Sequence, residues 1–536
     1  MTTTMTPYRS GQSGRDGFLQ LLRAEWTKFR TVRGWIIAAI VVAALTAAAP
    51  IWLASTAKAN DPETCVRGQC QAEGSNVAIG PAGTAVVDTF YFVHQPIGTN
   101  GSITVRVSSF GGSGHRPAVP TGYAPAPQTE PWAKAGIIIK SSTRPGTVYA
   151  AAMVTGAHGV RMQYNFTHDI AGTGTAAPQW LRLTRSGDTI TGYDSADGKQ
   201  WTKIGSAVVS GLPPTAQVGL FVASPDFNEA TGNGDNRIGG PTAASAVFDH
   251  VHLTGGSAGQ SWTGSQVGTG TGGLPTNARV KCHGCGPSNG PGPGGFASTN
   301  GAFSVHGTGD MAPFEPIVDP LHVSFFGTLF GLIVVIALGA LFITSEYRRG
   351  LIRTTLASSP RRGRVLAAKT IVIGAVAFVA GLVGAAIAFP VTEQKLADNG
   401  WRPPVWPHYS IISGIGLQVV LGTAAIAAGA AVLGLVAGVV FRRSTSAVMA
   451  IIGLVVVPVI LAVVMPIGVG TWLLRLTPAA ALSLQSGVQR YTQVSNVCAP
   501  YHACFPLAGW NGFAVLGAWA IVAFAGASYL LRRRDV

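Results

Sequence analysis

The side chains in this 536-residue chain that could do chemistry are six cysteines, a few acids, histidines and tryptophans in a Gly/Ser/Thr-rich middle region, and one dense run of arginines. Cys282-His283-Gly284-Cys285 has the spacing of a redox dithiol or of half a zinc site. No second CxxC or HxxxH stands nearby to complete a tetrahedral set, so a disulfide is the simpler reading. Cys65, Cys70, Cys282, Cys285, Cys498 and Cys504 could form three short-range pairs, or Cys65/Cys70 could join Cys282/Cys285. Glycoside hydrolysis needs two carboxylates roughly 5–10 Å apart. Asp194 and Asp197 read instead as hairpin formers, and no Glu-x-Asp-x-x-Glu is present in the middle region. His250 and His252 alternate on one strand face and read as structural. Trp132, Trp180 and Trp201 could stack on sugar rings or pack in a core. Asn165-Phe166-Thr167 matches the N-glycosylation sequon. A phosphate-binding GxxxxGK[ST] is absent from the sequence: Gly198-Lys199 is followed by Gln200, and Gly111-Gly112-Ser113-Gly114 lacks the lysine.

The arginine run is the most informative of these. Ser345–Lys369 holds Arg348, Arg349, Arg353, Arg361, Arg362, Arg364 and Lys369 against a single acid, Glu346. It lies between two uncharged apolar runs, Val323–Ile343 and Thr370–Val391. Four more runs of membrane-spanning length are Gly34–Leu53, Ile411–Val440, Ser446–Ile467 and Trp510–Leu531. Charged residues make up only 11% of the chain and hydrophobic residues 47%, with a mean hydropathy of +0.34, a balance foreign to soluble domains. The net charge of +15 is not a nucleic-acid footprint, because its distribution follows the spans. Arg9, Arg15, Arg23, Lys28, Arg30 and Arg33 precede the first span. The arginine loop, Arg442/Arg443 and Arg532–Arg534 fall on the same side. The short loops opposite hold only Lys395, Arg402, Arg475 and Arg490. Short basic loops stay in the cytoplasm, which puts both termini inside and residues 55–321 outside. All six cysteines fall in segments so placed outside, where disulfides persist. The first apolar run begins too late and lacks a clear cleavage site for a signal peptide. Almost no charge lies within the spans, which argues against an ion channel or a proton-coupled carrier.

The elements around these residues divide the chain into three parts. Residues 1–54 contain an amphipathic helix, with Phe18, Leu22, Trp26 (or Glu25) and Phe29 at helical spacing, and the first span. Residues 55–321 carry recurrent short β-type runs: Ser102–Ser109, Ala135–Lys140, Val148–Val154, Val160–Tyr164, Trp180–Arg185, Thr189–Asp194, Val218–Ala223 and Ala246–Leu253. Asp197-Gly198 marks a hairpin, and the pattern predicts an antiparallel sandwich. The Gly/Pro-rich stretch after Gly255, notably Gly284–Gly295, reads as a tether back to the membrane. Residues 322–536 hold the other five spans. Ile411–Val440 is longer than a bilayer core requires, and Pro458 predicts a kink in the fifth span. Trp472–Gln485, within an external segment 471–509, reads as a re-entrant or outer-leaflet element because Arg475 and Pro478 interrupt it.

Three passages resemble the membrane subunit of a type-2 ABC exporter: Ala24–Arg33, similar to the first helix of actinobacterial permeases; Glu346-xxx-Gly350 followed by Leu356, Pro360, Arg361 and Lys369, similar to the family's coupling loop; and Leu476-Thr477-Pro478, similar to its external half-helices. In the simplest family members the loop between spans one and two is short. Here it holds a domain. Asp88–Tyr91, Trp132–Ile137, Trp180–Leu183, Tyr193–Trp201 and Val218–Phe221 resemble a concanavalin-like (laminin-G-like) β-sandwich, a jelly roll.

The fold expected is therefore a six-helix polytopic membrane protein with an all-β sandwich inserted between helices one and two. The resemblance implies a non-enzymatic permease in the bacterial cell membrane, binding no cofactor itself. Two copies of a separate ATPase subunit would bind ATP and Mg, and a second permease subunit would complete a dimer. It assigns ATPase contact to Glu346, Arg348, Arg349, Gly350, Arg353, Pro360 and Arg361. The amphipathic first helix suits lipid contact, the uncharged spans suit a hydrophobic or amphipathic substrate, and the insert is expected to bind a glycan, substrate or protein. The competing reading is a membrane-anchored carbohydrate-binding receptor.

Overall fold

The computed structural model of the chain describes residues 17–58, 78–114, 129–230, 237–240, 242–256, 260–268, 294–316, 319–352, 361–494 and 504–533. Among them six helices are long and apolar enough to cross a membrane: Arg33–Thr56, Thr328–Arg348, Arg362–Asp398, Gly414–Phe441, Ser444–Val464 and Gly509–Arg533. Each expected apolar run lies in one of them, with shifted ends. The third helix departs most: it continues past both ends of Thr370–Val391 for 37 residues, about 55 Å at 1.5 Å per residue. Its charged ends were legible only as loop, yet at a membrane interface charged side chains are solvated or paired and the helix need not stop. The fourth is shorter than its apolar run. Ser413 caps it by accepting from Gly416 N–H at 3.0 Å, and Arg442 ends it in a left-handed conformation. The fifth breaks at Val456, where Pro458 enters the first turn of the second piece and costs no hydrogen bond.

Close packing of the second and fourth helices rests on small residues. A Cβ on Gly339 would come within 2.1 Å of Ala431 O, and one on Gly434 within 2.5 Å of Ile336 O. In lipid, where apolar burial gives helices no preference for one another, such backbone approach supplies the packing energy. Between the fifth and sixth helices, Ile467–Leu476 meets a 3-10 helix, Pro478–Gln485, at 95°. Every residue of the 3-10 helix is buried.

Among the described residues the insert is antiparallel, with most of its strands in one 13-stranded sheet. Its organiser is the strand Phe90–Gly114. The first half pairs with Ala216–Ala223 and Thr263–Val267, the second with Gln179–Ser186 and Thr242–Gly256. The sheet thus folds into two layers. Val93, Ile137, Ile139, Val218 and Leu220 of one layer meet Val105, Leu181, Leu183, Ala246 and Phe248 of the other in a shared core. The expected runs all fall on strands, but the stretch after Gly255 does not form a plain tether. Thr263–Val267, Gly295–Thr299, Ala302–Gly307 and Met311–Pro313 are strands of the domain, while residues 284–293 lie outside the described residues. On its other face the first layer carries a second core, Phe90, Phe92, Ile138, Met153 and Phe221 with Val86 and Met311. A small sheet covers it, in which Ala85–Asp88 pairs with Met311–Pro313. The first and last parts of the domain are therefore neighbours, the geometry an insertion requires.

Candidate functional site

At the end of the helical bundle that carries the arginines, three distant segments converge on a buried ion cluster. The helix Phe18–Thr31 lies against the bundle through Leu22, Glu25 and Phe29, spaced one helical turn apart. Glu25, not Trp26, occupies the inward position: Glu25 is buried, whereas Trp26 is 48% exposed and stacks on Phe29 from outside. Phe29 and Trp35 pack on Phe342 of the second span. Phe18 is half-buried.

Lys369, fully buried near the start of the third span, bonds Glu25 Oε2 at 2.8 Å and Glu346 Oε1 at 2.6 Å, with Phe342 beneath its ammonium at 5.2 Å. Lys28 bridges the same two carboxylates at 3.1 and 3.3 Å. Burial pulls the Lys28 ammonium down, but the charges of Glu25 and Glu346 outweigh it and hold the lysine above its ordinary range. Two acids and two bases make the cluster neutral, which is how ionised groups tolerate burial. Among the described residues Glu346 Oε2 is buried without a hydrogen-bond partner.

Glu346, expected at the ATPase contact, is 8% exposed and paired with Lys369 and Lys28. Arg348, Arg349 and Arg361 are exposed around it. Gly350 ends the second helix at φ +71, a left-handed conformation that disfavours a side chain although the space around it is open. Arg353 and Pro360 lie outside the described residues. Arg362 donates to Leu531 O at the end of the sixth span. Glu25, Lys28 and Lys369 were not among the expected site residues, although Lys369 belongs to the loop motif and Glu25 was the alternative to Trp26 at one helical position.

In the insert, the three tryptophans read as ring-stacking or core residues are each wholly or partly covered. Trp132 is 4% exposed and its ring stacks on His158 at 3.9 Å. Trp180 and Trp201 are half-buried, but Gly198 abuts the first and the Arg182 guanidinium covers the second at 3.9 Å. Asp197 holds its hairpin by accepting from Lys199 and Gln200 N–H, and fully buried Asp194 accepts from Thr173 and Gly174 N–H. His250 adopts φ 51 at an irregularity in the ladder, and both it and His252 are exposed. The sequon is engaged, with Phe166 buried and its carbonyl bonded to Gln493. Of the six cysteines, Cys504 is described and is disulfide-bonded. The other five lie outside the described residues.

A family model described as ABC-2 family transporter protein matches residues 162–536. The chain belongs to the ABC-2 transporter family. The match opens inside the β domain and covers the last five spans; the first span and the helix before it precede it. Membership makes the chain a membrane transport component. No curated protein matches it. Among solved structures, a GH43 protein from Bacillus licheniformis is 15% identical with TM-score 0.18, covering 29% of this chain and 28% of that one. A functionally unknown protein from Saccharomyces cerevisiae is 15% identical, covers 38% and 97%, and has TM-score 0.21. Scytalido-glutamic peptidase is 12% identical, covers 41% and 98%, and has TM-score 0.24. The chain spans about a quarter of the length of the GH43 protein. Likenesses at this level say nothing about activity.

Proposed function

We propose that this ABC-2 family protein is the permease subunit of an exporter in the cell membrane, with the arginine loop inside, both termini inside and the β domain outside. The observation that carries the reading is the cluster of Glu25, Lys28, Glu346 and Lys369. It joins the first helix to the base of the second and third spans, on either side of the loop that an ATPase would push. A displacement applied to Arg348, Arg349 or Arg361 would then reach two spans and the interfacial helix together. The absence of a phosphate-binding motif from the sequence supports a motor on another chain, and two such motors with a homodimeric permease fit the family resemblance. The apolar spans suit a hydrophobic or amphipathic substrate. The two-layer antiparallel build of the insert supports a concanavalin-like sandwich that meets a glycan, a substrate or a protein outside.

Co-purification from native membranes tests this reading. Stoichiometric recovery of an ATPase subunit whose ATP turnover is lost when Ser345–Lys369 is replaced is the expected result. If no ATPase associates, the chain is instead a membrane-anchored extracellular receptor.

A further inference from the structure

At the end of the bundle opposite the ion cluster, one short segment is held by the β domain and its exit on one side and by the membrane core on the other. Asp319, almost fully buried, ends the domain's return path. Its Oδ1 caps the helix Pro320–Phe325, accepting from Leu321 and His322 N–H at 3.1 and 3.2 Å. Its Oδ2 accepts from Ser486 Oγ at 2.7 Å, Gly487 N–H at 2.8 Å and Val488 N–H at 3.2 Å. Four residues before Asp319, buried Glu315 accepts from Tyr491 N–H and from Arg490 Nη1. Gln493 then donates to Phe166 O of the domain at 3.2 Å. Residues 486–493 therefore form a strap read three times by the insert and its exit.

The strap begins where the buried 3-10 helix ends. Gln485, the last residue of that helix, donates to Thr328 Oγ1 of the second span at 3.0 Å and to Thr423 Oγ1 of the fourth at 3.1 Å. Gln418 of the fourth span donates to Leu484 O. A buried carboxylate needs several donors to remain ionised. The five bonds of Asp319 are shared between segments far apart in sequence, which fixes the strap relative to the domain's exit.

We propose that Asp319 and Glu315 are positioning residues for transport: through the strap 486–493 they make the extracellular domain set the placement of Pro478–Gln485 between the second and fourth spans. The β domain then moves with the translocation machinery and is not a passive appendage. This rests on the permease reading, and the experiment separates the two.

The test uses the intact complex with its ATPase in lipid nanodiscs. Hydrogen exchange is followed with and without ATP plus vanadate. In the wild type, peptides covering 478–493 and the domain's last strands, 302–313, change protection together on trapping. In Asp319→Asn with Glu315→Gln, exchange at 302–313 no longer follows the nucleotide state, and basal exchange in the strap rises about tenfold, the size expected from losing charge-assisted hydrogen bonds. ATP turnover shifts in kcat with KM for ATP unchanged, since the nucleotide site is untouched. Glu315→Asp alone restores part of the coupled response, which a merely structural loss would not. If Asp319→Asn fails to fold, Glu315→Gln with Gln493→Ala carries the same comparison. Uncoupled responses in the wild type, or wild-type coupling in the variants, overturn the proposal. Failure to recover an ATPase overturns the permease reading instead.

Discussion

At the scale of single residues, Lys369 bears the greatest consequence. Its ammonium compensates Glu25 and Glu346 together, so replacing it leaves two buried carboxylates with only half-exposed Lys28 between them. Lys369→Met is expected to lower stability by about 3–5 kcal/mol, the usual result of removing one partner from a buried ion group. The triple variant Glu25→Gln, Glu346→Gln, Lys369→Met, which leaves only half-exposed Lys28 charged, should recover most of that loss. Thermal unfolding in nanodiscs measures both. A single variant as stable as the wild type would show that the cluster does not pin the helices. Little of this was legible in sequence. Glu346 and Lys369 stood out as loop residues, but the sequence does not reveal that a helix more than three hundred residues earlier supplies the counter-charge. Trp26 illustrates the same limit. Helical spacing allowed either Glu25 or Trp26 on one face; Glu25 takes the buried position beside Lys369, and Trp26 stays exposed.

At the scale of elements, periodicity and composition were most reliable where the environment is uniform. Apolar runs mark helices because lipid demands internal hydrogen bonding, and alternating β-branched residues mark strands. The departures came where a segment changes surroundings along its length. Phe90–Gly114 carries Gly98 and Gly101 at the point where it passes from one layer to the other, so only its second half read as a strand. The strands after Gly255 are short and glycine-rich, and long-range pairing rather than propensity makes them. The crossing of the second and fourth spans offers a sharp test. Gly339→Leu places a side chain where Ala431 O already lies, at 2.1 Å from the first added carbon. The expected outcome is loss of monodisperse protein on gel filtration after membrane extraction. Gly453→Leu, at a position with nothing within 4 Å, should be tolerated.

At the scale of the whole molecule, the arrangement proposed is one in which the two ends of the bundle do different work. The arginine-rich end carries the ion cluster, and the far end carries the strap and the β domain. Orientation is checked directly. A cysteine introduced at exposed Lys203 of the domain should react with a membrane-impermeant maleimide on intact cells, whereas one at Arg349 should react only after permeabilisation. The reverse pattern would invert the topology.

The pairing of Ala85–Asp88 with Met311–Pro313 has a further consequence. An early and a late strand of the domain lie side by side, and Gly327, just beyond the return, sits against Ala49 of the first span. In topology the insert is a cassette: a short linker could bridge Lys58 to Pro316 and leave all six spans connected as before, with Asp319 still in place. Such a molecule would lose Glu315 and the Phe166 carbonyl from the strap, leaving Arg490, Tyr491 and Gln493 with nothing to grip. The insert is thus interchangeable by connectivity but not by contact, and any domain grafted in its place would have to bring its own acceptors for those three residues.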